Sequence, residues 1–361
     1  GTDSRLSAQS LLIITNSLTL LLPEQIMQGT MMKQAGAVSP VLGSRTRMSL
    51  PRLAGRTPSC VGAHAMSSSA VPGVALAPAP NGNGLATPVT VNFPDFPVPT
   101  PALYAPSVAY QMAVKAAAAK CEAPAMKIFI GGIMAGLYTA VGGFLAVCVA
   151  NGLTSLIPAA PTMIKMGMGL VFPIGLTMVT LSGAELFTGN TALVPMAVYE
   201  GKASIGGLLK NWICAYSGNF LGSLMMVAAV MVTGLLVGNG VPIAMAEAKI
   251  SQTFLVTMTR AVIANWLVCM AVWQALSATT APGKIISLWG PICMFVTIGL
   301  EHSVANMFFI PMGMAMGAKV TVSQFLLSNM LPVTLGNIIG GFVFVGTAFS
   351  YLHGCLGPKK A

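Results

Sequence analysis

The sequence predicts an all-α membrane protein in which six transmembrane helices form two inverted repeats of three, with the second and fifth helices broken. Three observations support this prediction. Of the 361 residues, 55% are hydrophobic and only 7% are charged, a composition too apolar for an ordinary soluble domain. A polar motif in one apolar stretch recurs in another. There are six such stretches, each long enough to cross a bilayer: 128–150, 167–197, 208–237, 254–278, 285–316 and 325–352.

The N-terminal segment has the composition of an organelle transit peptide. It contains no acidic residue between Gln25 and Pro94, which is typical of such peptides. Its apolar run at 11–22 is too short to span a bilayer. We therefore expect residues 1–70 to form a transit-peptide-like extension. Basic residues are scattered through it: Lys33, Arg45, Arg47, Arg52 and Arg56.

Three further segments follow this extension. Eight prolines between Pro72 and Pro101 exclude regular structure and predict a linker at 71–103. Residues 104–126 are predicted to form an amphipathic helix at the membrane interface. The six spans then occupy 127–354, and a basic tail follows at 355–361.

Six crossings place both ends of the spanning domain on one side of the membrane. By the positive-inside rule, the side richer in basic residues faces the cytoplasm-like compartment. The net charge of +10 is explained by this distribution, so we expect contact with membrane lipid and no nucleic-acid partner. One side carries Lys115, Lys120, Lys127, Lys202, Lys210, Lys284, Lys359 and Lys360, against Lys165, Lys249 and Lys319 on the other.

The second and fifth spans carry related polar motifs. The residues GAELFTGN at 183–190, followed by Pro195-Met196, match GLEHSVAN at 299–306, followed by Pro311-Met312. A second pair, Leu-Leu-x-Asn with a later Gly-Asn-x-x-Gly, begins at residues 208 and 326. The chain is therefore two related halves of three spans, and an odd number of crossings makes the halves inverted.

Inverted repeats of this kind place broken helices at the membrane midplane. Unpaired backbone at that depth is tolerated only where it is buried in protein or lines a wet cavity. The segments Glu185 to Asn190 and Glu301 to Asn306 are therefore expected to face each other across a path.

His302 is the residue most strongly indicated as functional. A lone histidine in an apolar chain is usually structural, but an ionisable residue inside a membrane span is a functional candidate. His302 follows Glu301 within the break, whereas Leu186 takes its position in the other half. The repeat explains the break but not the histidine.

The other polar residues of the breaks have structural and functional interpretations. Glu185 and Glu301 share one repeat position, so we expect them to accept backbone N–H groups at the broken helix ends. Contact with an anionic solute is less favoured, because a carboxylate repels an anion. Asn190 and Asn306 belong to the same structural motif. Thr188 offers a hydroxyl to a solute or to His302.

Outside the breaks, the polar residues of the spans give weaker signals. Asn219 and Asn337 are expected to tie helices together at small-residue interfaces. Lys249 either raises the local anion concentration or anchors the membrane interface. Arg260 lies deeper and requires a partner that the sequence does not identify.

The sequence shows no catalytic chemistry. It has no nucleophile set and no phosphate-binding loop, and its seven cysteines lack metal-binding spacing. We expect no enzyme activity, no cofactor and no metal, with the cysteines acting as small hydrophobes.

Four segments together resemble the formate/nitrite transporter family, most closely its plastid-type members from green algae. The resemblance covers about residues 104–354. It implies an aquaporin-like fold, a homopentamer with one pore per protomer, and transport of small monovalent anions such as formate, nitrite, hydrosulfide or bicarbonate. It also implies the inner chloroplast envelope as the location, with the plasma membrane as the alternative. The segments are GAELFTGN (183–190), NWLVCMAVW (265–273), GLEHSVANMFFIPMG (299–313) and LPVTLGNIIGG (331–341).

The same resemblance implies roles for individual residues. It makes His302 the central pore histidine, Thr188 its hydroxyl partner and Lys249 a vestibule lysine that attracts anions. Two further sets follow from it: polar residues near the pore, Asn265 and Asn337, and apolar constrictions at Phe172, Leu176, Leu186 and Phe295.

An anion that crosses a narrow apolar pore loses its hydration, so its charge must be cancelled. We expect His302 to supply a proton or a positive charge, so that the solute passes as the neutral acid or paired with imidazolium. Nitrite is the leading substrate, with bicarbonate or formate as alternatives. A neutral-solute channel of the aquaporin kind is an alternative of a different class, although Asn-Pro-Ala occurs in neither break.

Overall fold

The computed structural model describes residues 101–156 and 159–358. The predicted extension at 1–70, most of the linker and residues 359–361 of the basic tail lie outside these ranges. Within them the chain folds into ten helices of ten residues or more: α1 Pro106–Glu122, α2 Ala125–Gly152, α3 Pro161–Ser182, α4 Phe187–Tyr199, α5 Ile205–Thr233, α6 Val241–Ile250, α7 Phe254–Ser277, α8 Ala281–Ile298, α9 Ser303–Ala315 and α10 Gln324–His353.

Six of these helices are long and apolar enough to cross a membrane, namely α2, α3, α5, α7, α8 and α10. The prediction of six transmembrane helices is confirmed. The two predicted breaks are also present, because α3 ends at Ser182 before α4 begins at Phe187, and α8 ends at Ile298 before α9 begins at Ser303. The longest element, α10, is continuous but contains two π-helical segments, Gln324–Met330 and Phe342–Thr347.

Glycine ends the first half of each broken helix. Gly183 and Gly299 have φ angles of 71° and 85°, in the left-handed region that residues with a Cβ rarely adopt. The chain then extends, and the next helices begin after Leu186 and His302, which both have β-type dihedral angles. The two breaks are therefore built in the same way.

The repeat extends further than the sequence motifs indicated. The short helix α1 packs on α4 in the first half, and the short helix α6 packs on α9 in the second. The halves are therefore two sets of five helices, α1–α5 and α6–α10.

Small residues hold the long helices of each half close together. In the first half α2 lies against α5, and a Cβ added at Gly222 would collide with the backbone carbonyl of Ile133. In the second half α7 lies against α10, and a Cβ added at Gly340 would collide with the backbone carbonyl of Val262. Backbones can approach this closely only where side chains are absent.

Helix α1 is fixed by a buried tyrosine. The Tyr110 side chain is fully buried, and its hydroxyl lies 2.9 Å from Glu200 Oε1 and 2.9 Å from Ser350 Oγ. The Cys355 N–H donates to the same Glu200 oxygen. Burial raises the pKa of the Tyr110 hydroxyl, which therefore keeps its proton. The C-terminal end of α10, α1 and the turn after α4 are thus joined.

Candidate functional site

Two vestibules and a constriction follow one another across the fold. The Lys249 vestibule, about 420 Å³ in volume, lies near the start of α7 and is lined in part by Lys249 and Arg260. The Lys120 vestibule, about 170 Å³, lies near the end of α7 and is lined in part by Lys120 and Leu276. Between them is a constriction of about 10 Å³. The three spaces share wall residues and so form one path.

The constriction is almost entirely apolar. Phe172 and Phe295 line both the constriction and the Lys249 vestibule, whereas Leu176 and Leu186 line both the constriction and the Lys120 vestibule. The structure thus brings together all four residues that the resemblance implied. Three further wall residues were missed by sequence reasoning, because they carry no motif: Thr139, Val268 and Ile292.

The two helix breaks meet at this constriction. Leu186 precedes α4 and His302 precedes α9, and both side chains line the narrow space. The expectation that the breaks face each other across a path agrees with this placement. His302 is the ionisable residue of the constriction wall, and its ring lies 5.7 Å from that of Phe295.

Both ring nitrogens of His302 have partners. The ring is buried, and Nε2 lies 2.9 Å from Thr188 Oγ1. Nδ1 accepts the backbone N–H of Ala305 at 3.1 Å and thereby caps the N-terminus of α9. Because Nδ1 is an acceptor, the neutral ring carries its proton on Nε2 and donates to Thr188. The hydroxyl hydrogen of Thr188 can then be donated to another acceptor.

Asn337 holds the break that contains His302. Its Oδ1 accepts the backbone N–H of Ser303 at 2.8 Å, and its Nδ2 donates to the carbonyls of Ala261 and Glu301 at 2.8 and 3.1 Å. The Ser303 and Glu301 groups belong to the break, which would otherwise leave them unpaired, and the bond to Ala261 ties the break to α7. Asn337 is fully buried and is not among the lining residues of the vestibules or the constriction.

Asn265 lies behind the break in the same way. Its Nδ2 is 2.9 Å from Thr191 Oγ1, 3.2 Å from the Thr188 carbonyl and 2.6 Å from the Asn337 carbonyl. Asn265 is also fully buried and absent from the walls of the path. The structure therefore places both asparagines one layer outside the pore, where they position Thr188 and the break.

The Glu301 carboxylate accepts from side chains and not from the backbone. Lys249 Nζ lies 3.1 and 3.0 Å from its two oxygens, and Asn306 and Asn329 donate to Oε2 at 2.6 and 3.4 Å. The expectation that Glu185 and Glu301 accept backbone N–H groups at the broken ends is therefore wrong. Asparagine amides and, in the second break, the histidine ring occupy those positions.

The first half repeats this cluster. Glu185 binds Lys120 Nζ at 2.8 Å and accepts from Asn190 and Asn211 at 2.7 and 3.4 Å. Asn219 takes the part of Asn337, since its Oδ1 accepts the N–H of Phe187 at 2.9 Å and its Nδ2 donates to the carbonyls of Gly132 and Glu185. Each break is thus closed by a lysine, a glutamate and three asparagines.

The ion pairs change the electrostatic interpretation of the vestibules. Lys249 is paired with Glu301, and the exposed fractions of the two side chains are only 14% and 5%. The Lys120–Glu185 pair is slightly more accessible, at 20% and 13%. Since both charges of each pair are satisfied locally, Lys249 contributes little net positive charge to its vestibule. Arg260, whose partner the sequence left open, also lines that vestibule.

No metal-binding cluster of His, Cys, Asp or Glu occurs among residues 101–156 and 159–358. The six cysteines in these ranges are free thiols, of which Cys121 and Cys269 are buried. Cys60 lies outside the described residues.

Comparisons with known proteins agree with this architecture. A family model described as Formate/nitrite transporter matches residues 107–351. A probable formate transporter of Methanothermobacter thermautotrophicus is 40% identical over 253 residues, which cover 65% of this chain and 91% of that protein. The formate channel FocA of Escherichia coli (strain K12) is 33% identical over 274 residues, which cover 70% of this chain and 95% of that protein.

Solved structures give the same result. A pentameric formate channel with formate bound is similar with a TM-score of 0.56 and 32% identity, covering 63% of this chain and 97% of that chain. An FNT family ion channel is similar with a TM-score of 0.63 and 27% identity, and the match covers 68% of this chain and 99% of that chain. These proteins are transporters and channels, which agrees with the prediction that the chain is not an enzyme.

Proposed function

Because this chain belongs to the formate/nitrite transporter family, we propose that it conducts small monovalent anions of weak acids through the pore between its two helix breaks. The observation that carries the proposal is the pair His302 and Thr188. They place a titratable ring in the wall of a nearly apolar constriction, held there by the buried hydroxyl of Thr188.

The anion enters through a vestibule with positive side chains in its wall. Lys165 and Arg260, which have no carboxylate partner among the described residues, line one vestibule, and Lys284 lines the other. Lys249 and Lys120 also line these walls, but they are paired with Glu301 and Glu185. Cationic walls of low dielectric raise the local concentration of anions. The anion therefore reaches the constriction from either side at more than its bulk concentration.

The constriction removes water from the anion. A space of about 10 Å³ walled by Phe172, Phe295, Leu176 and Leu186 leaves no room for a hydration shell, since one water molecule needs about that volume for itself. An unpaired charge in such surroundings is strongly disfavoured. The anion crosses only when its charge is compensated or removed.

His302 provides that compensation. In the neutral ring, Nε2–H donates to the buried Thr188 hydroxyl, which holds the ring in the constriction wall. When the ring binds a proton from water at Nδ1, it gives up the bond from Ala305 N–H and carries a positive charge. The anion then pairs with the imidazolium or takes the proton onto one oxygen, which leaves a neutral ring and a neutral acid.

Formate and nitrite are the substrates that we favour. The sequence resemblance favours nitrite, with bicarbonate or formate as alternatives. The names of two similar proteins, a probable formate transporter and a formate channel, support formate. All three anions carry one charge and few atoms, so the constriction alone does not choose among them.

Assembly and location are parts of the same proposal. A similar structure is described as a pentameric formate channel, which supports a homopentamer with one pore in each protomer. The absence of acidic residues between Gln25 and Pro94 is typical of a transit peptide and supports delivery to a chloroplast envelope. A fluorescent fusion of the full chain imaged in an algal cell tests the location, and a plasma-membrane signal would contradict it.

The deciding experiment is uptake into proteoliposomes. Nitrite, formate, bicarbonate and glycerol are offered separately at several pH values, with empty liposomes as the control for passive leakage of the neutral acids. We expect saturable uptake of formate or nitrite that rises as the pH falls. Glycerol uptake without anion uptake would instead identify a neutral-solute channel.

A further inference from the structure

The Lys249 vestibule is larger than the proposed substrates require. A three-atom anion such as formate or nitrite fills at most about 90 Å³, if each heavy atom needs no more than the 30 Å³ of a water molecule. The vestibule offers about 420 Å³, a volume within the range of small-molecule sites. The constriction beyond it offers about 10 Å³. A molecule several times larger than formate can therefore enter this vestibule but cannot leave through the other side.

Two cations of this vestibule have no carboxylate partner among the described residues. The described residues form two ion pairs, Lys120–Glu185 and Lys249–Glu301, and only the second lies at this vestibule. Arg260 is half-buried in the vestibule wall, and Lys165 is exposed at its edge. A half-buried guanidinium without a carboxylate is a ready partner for one, because its planar fork matches carboxylate geometry.

Most of the remaining wall is aromatic or aliphatic. The Phe172 ring lies 6.1 Å from that of Phe309 at 30°, and 5.8 Å from that of Phe295 at 89°. Met168 and Met245 complete this surface, and thioethers pack well against aromatic rings. A flat hydrophobic group would be well accommodated here.

These observations specify one class of ligand. We propose that the Lys249 vestibule binds amphipathic monocarboxylates, such as arylcarboxylates, and that these block the pore from that side. The carboxylate binds Arg260 with help from Lys165, and the hydrophobic body lies against Phe172, Phe295 and Phe309. The blocking step rests on the proposed function, since it presumes that anions pass here; the binding step does not.

The Lys120 vestibule is a poorer site for the same ligands. Its volume is about 170 Å³, and its wall contains no aromatic side chain. Its apolar residues are aliphatic, among them Leu176, Leu186 and Leu193. The block is therefore one-sided.

Calorimetry of benzoate binding to the purified full chain in detergent tests the site without any need for transport. We expect binding at neutral pH, where benzoate is an anion, and no binding of benzyl alcohol, which has a similar ring but no charge. Arg260→Gln should weaken benzoate binding by about tenfold, the effect of losing one charge-assisted pair. Lys319→Gln, which removes an exposed lysine outside the vestibule wall on the same side, should leave the affinity unchanged.

Lys165→Gln is the second variant, because an exposed lysine can be replaced without risk to folding. It should weaken benzoate binding by a smaller factor than Arg260→Gln. Absence of benzoate binding, or equal affinity in the wild type and both variants, would overturn the site.

Formate uptake in the presence of benzoate then tests the block. Uptake that falls with benzoate in the wild type, and falls less in Lys165→Gln, supports it. Formate uptake that is insensitive to saturating benzoate refutes it. If benzoate binds but no formate or nitrite uptake is seen, the binding site stands and the conduction proposal fails, so the two failures are distinguishable.

Discussion

Leu186 and His302 occupy equivalent positions in the two helix breaks, and their side chains line the same constriction. Nearly every polar contact around one break has a counterpart around the other, including the lysine–glutamate pair and the capping asparagine. The substitution of a histidine for a leucine is therefore the principal chemical difference between two otherwise matched structures. The asymmetry points to the place where solute chemistry occurs.

Replacement of His302 by Asn should remove the pH dependence of anion uptake. Asn is a good N-cap residue, so it can replace Nδ1 as acceptor for Ala305 N–H while it removes the titratable ring. We expect uptake at acidic pH to fall by at least about tenfold, the effect of one hydrogen bond to a charged group. Proteoliposome uptake measured between pH 5 and pH 8 checks this, and undiminished uptake would remove His302 from the mechanism.

Thr188 should be required for its hydroxyl and not for its shape. Thr188→Val keeps the branched side chain but loses the partner of His302 Nε2, whereas Thr188→Ser keeps the hydroxyl. We expect Val to reduce formate or nitrite uptake by about tenfold and Ser to retain most of it. The comparison is made at equal amounts of folded protein, and equal uptake by both variants would show that the Thr188 hydroxyl is not needed to hold His302.

Leu186→Ala should widen the constriction and admit neutral solutes. Leu193→Ala is the matched control, because Leu193 is equally buried but lines only the Lys120 vestibule. Both variants should lose roughly 2–5 kcal/mol of stability, as buried Leu to Ala changes do. Liposome swelling in glycerol should be faster for Leu186→Ala alone. Similar swelling for both would place the barrier elsewhere.

Glu301→Gln should destabilise the fold more than Glu185→Gln. Each variant leaves a lysine without its carboxylate, and breaking a buried pair in this way costs about 3–5 kcal/mol. The Lys249–Glu301 pair is the more buried of the two. Breaking it should therefore lower the stability by an amount near the upper end of that range. Thermal unfolding in detergent measures the order, and the double variant Lys249→Met/Glu301→Gln should recover part of the loss. An equal or reversed order would show that burial does not govern these pairs.

The sequence predicted the features that its own internal symmetry carries. The spans, the two breaks and the special position of His302 all follow from motifs that occur twice in an apolar chain. The walls of the constriction did not follow from the residues themselves, because Phe172 and Leu176 lie in ordinary apolar helix and became candidates only through the family resemblance. Which of many apolar residues face a pore depends on helix rotation, and rotation is set by packing between helices.

The lysine–glutamate pairs lay beyond sequence reasoning for a different reason. Lys120 and Lys249 lie in short helices with the unlike sequences KAAAAKCE and AMAEAKIS, outside the matched motifs. Only the fold shows that α1 and α6 are equivalent. The direction of the Glu185 and Glu301 side chains was wrongly predicted, because a residue in an extended break has no helical face that fixes where it points.

The glycine contacts between the long helices have a consequence for the kind of movement that the protein allows. Backbone against backbone at Gly222 and Gly340 leaves no layer of side chains on which one helix can slide past another. Because each contact joins two helices of the same half, neither half can rearrange internally while these contacts stay intact. Within each half, the movement that remains is that of side chains, so rotamer changes of a few rings and leucines at the constriction can admit a solute while the helices of that half keep their places.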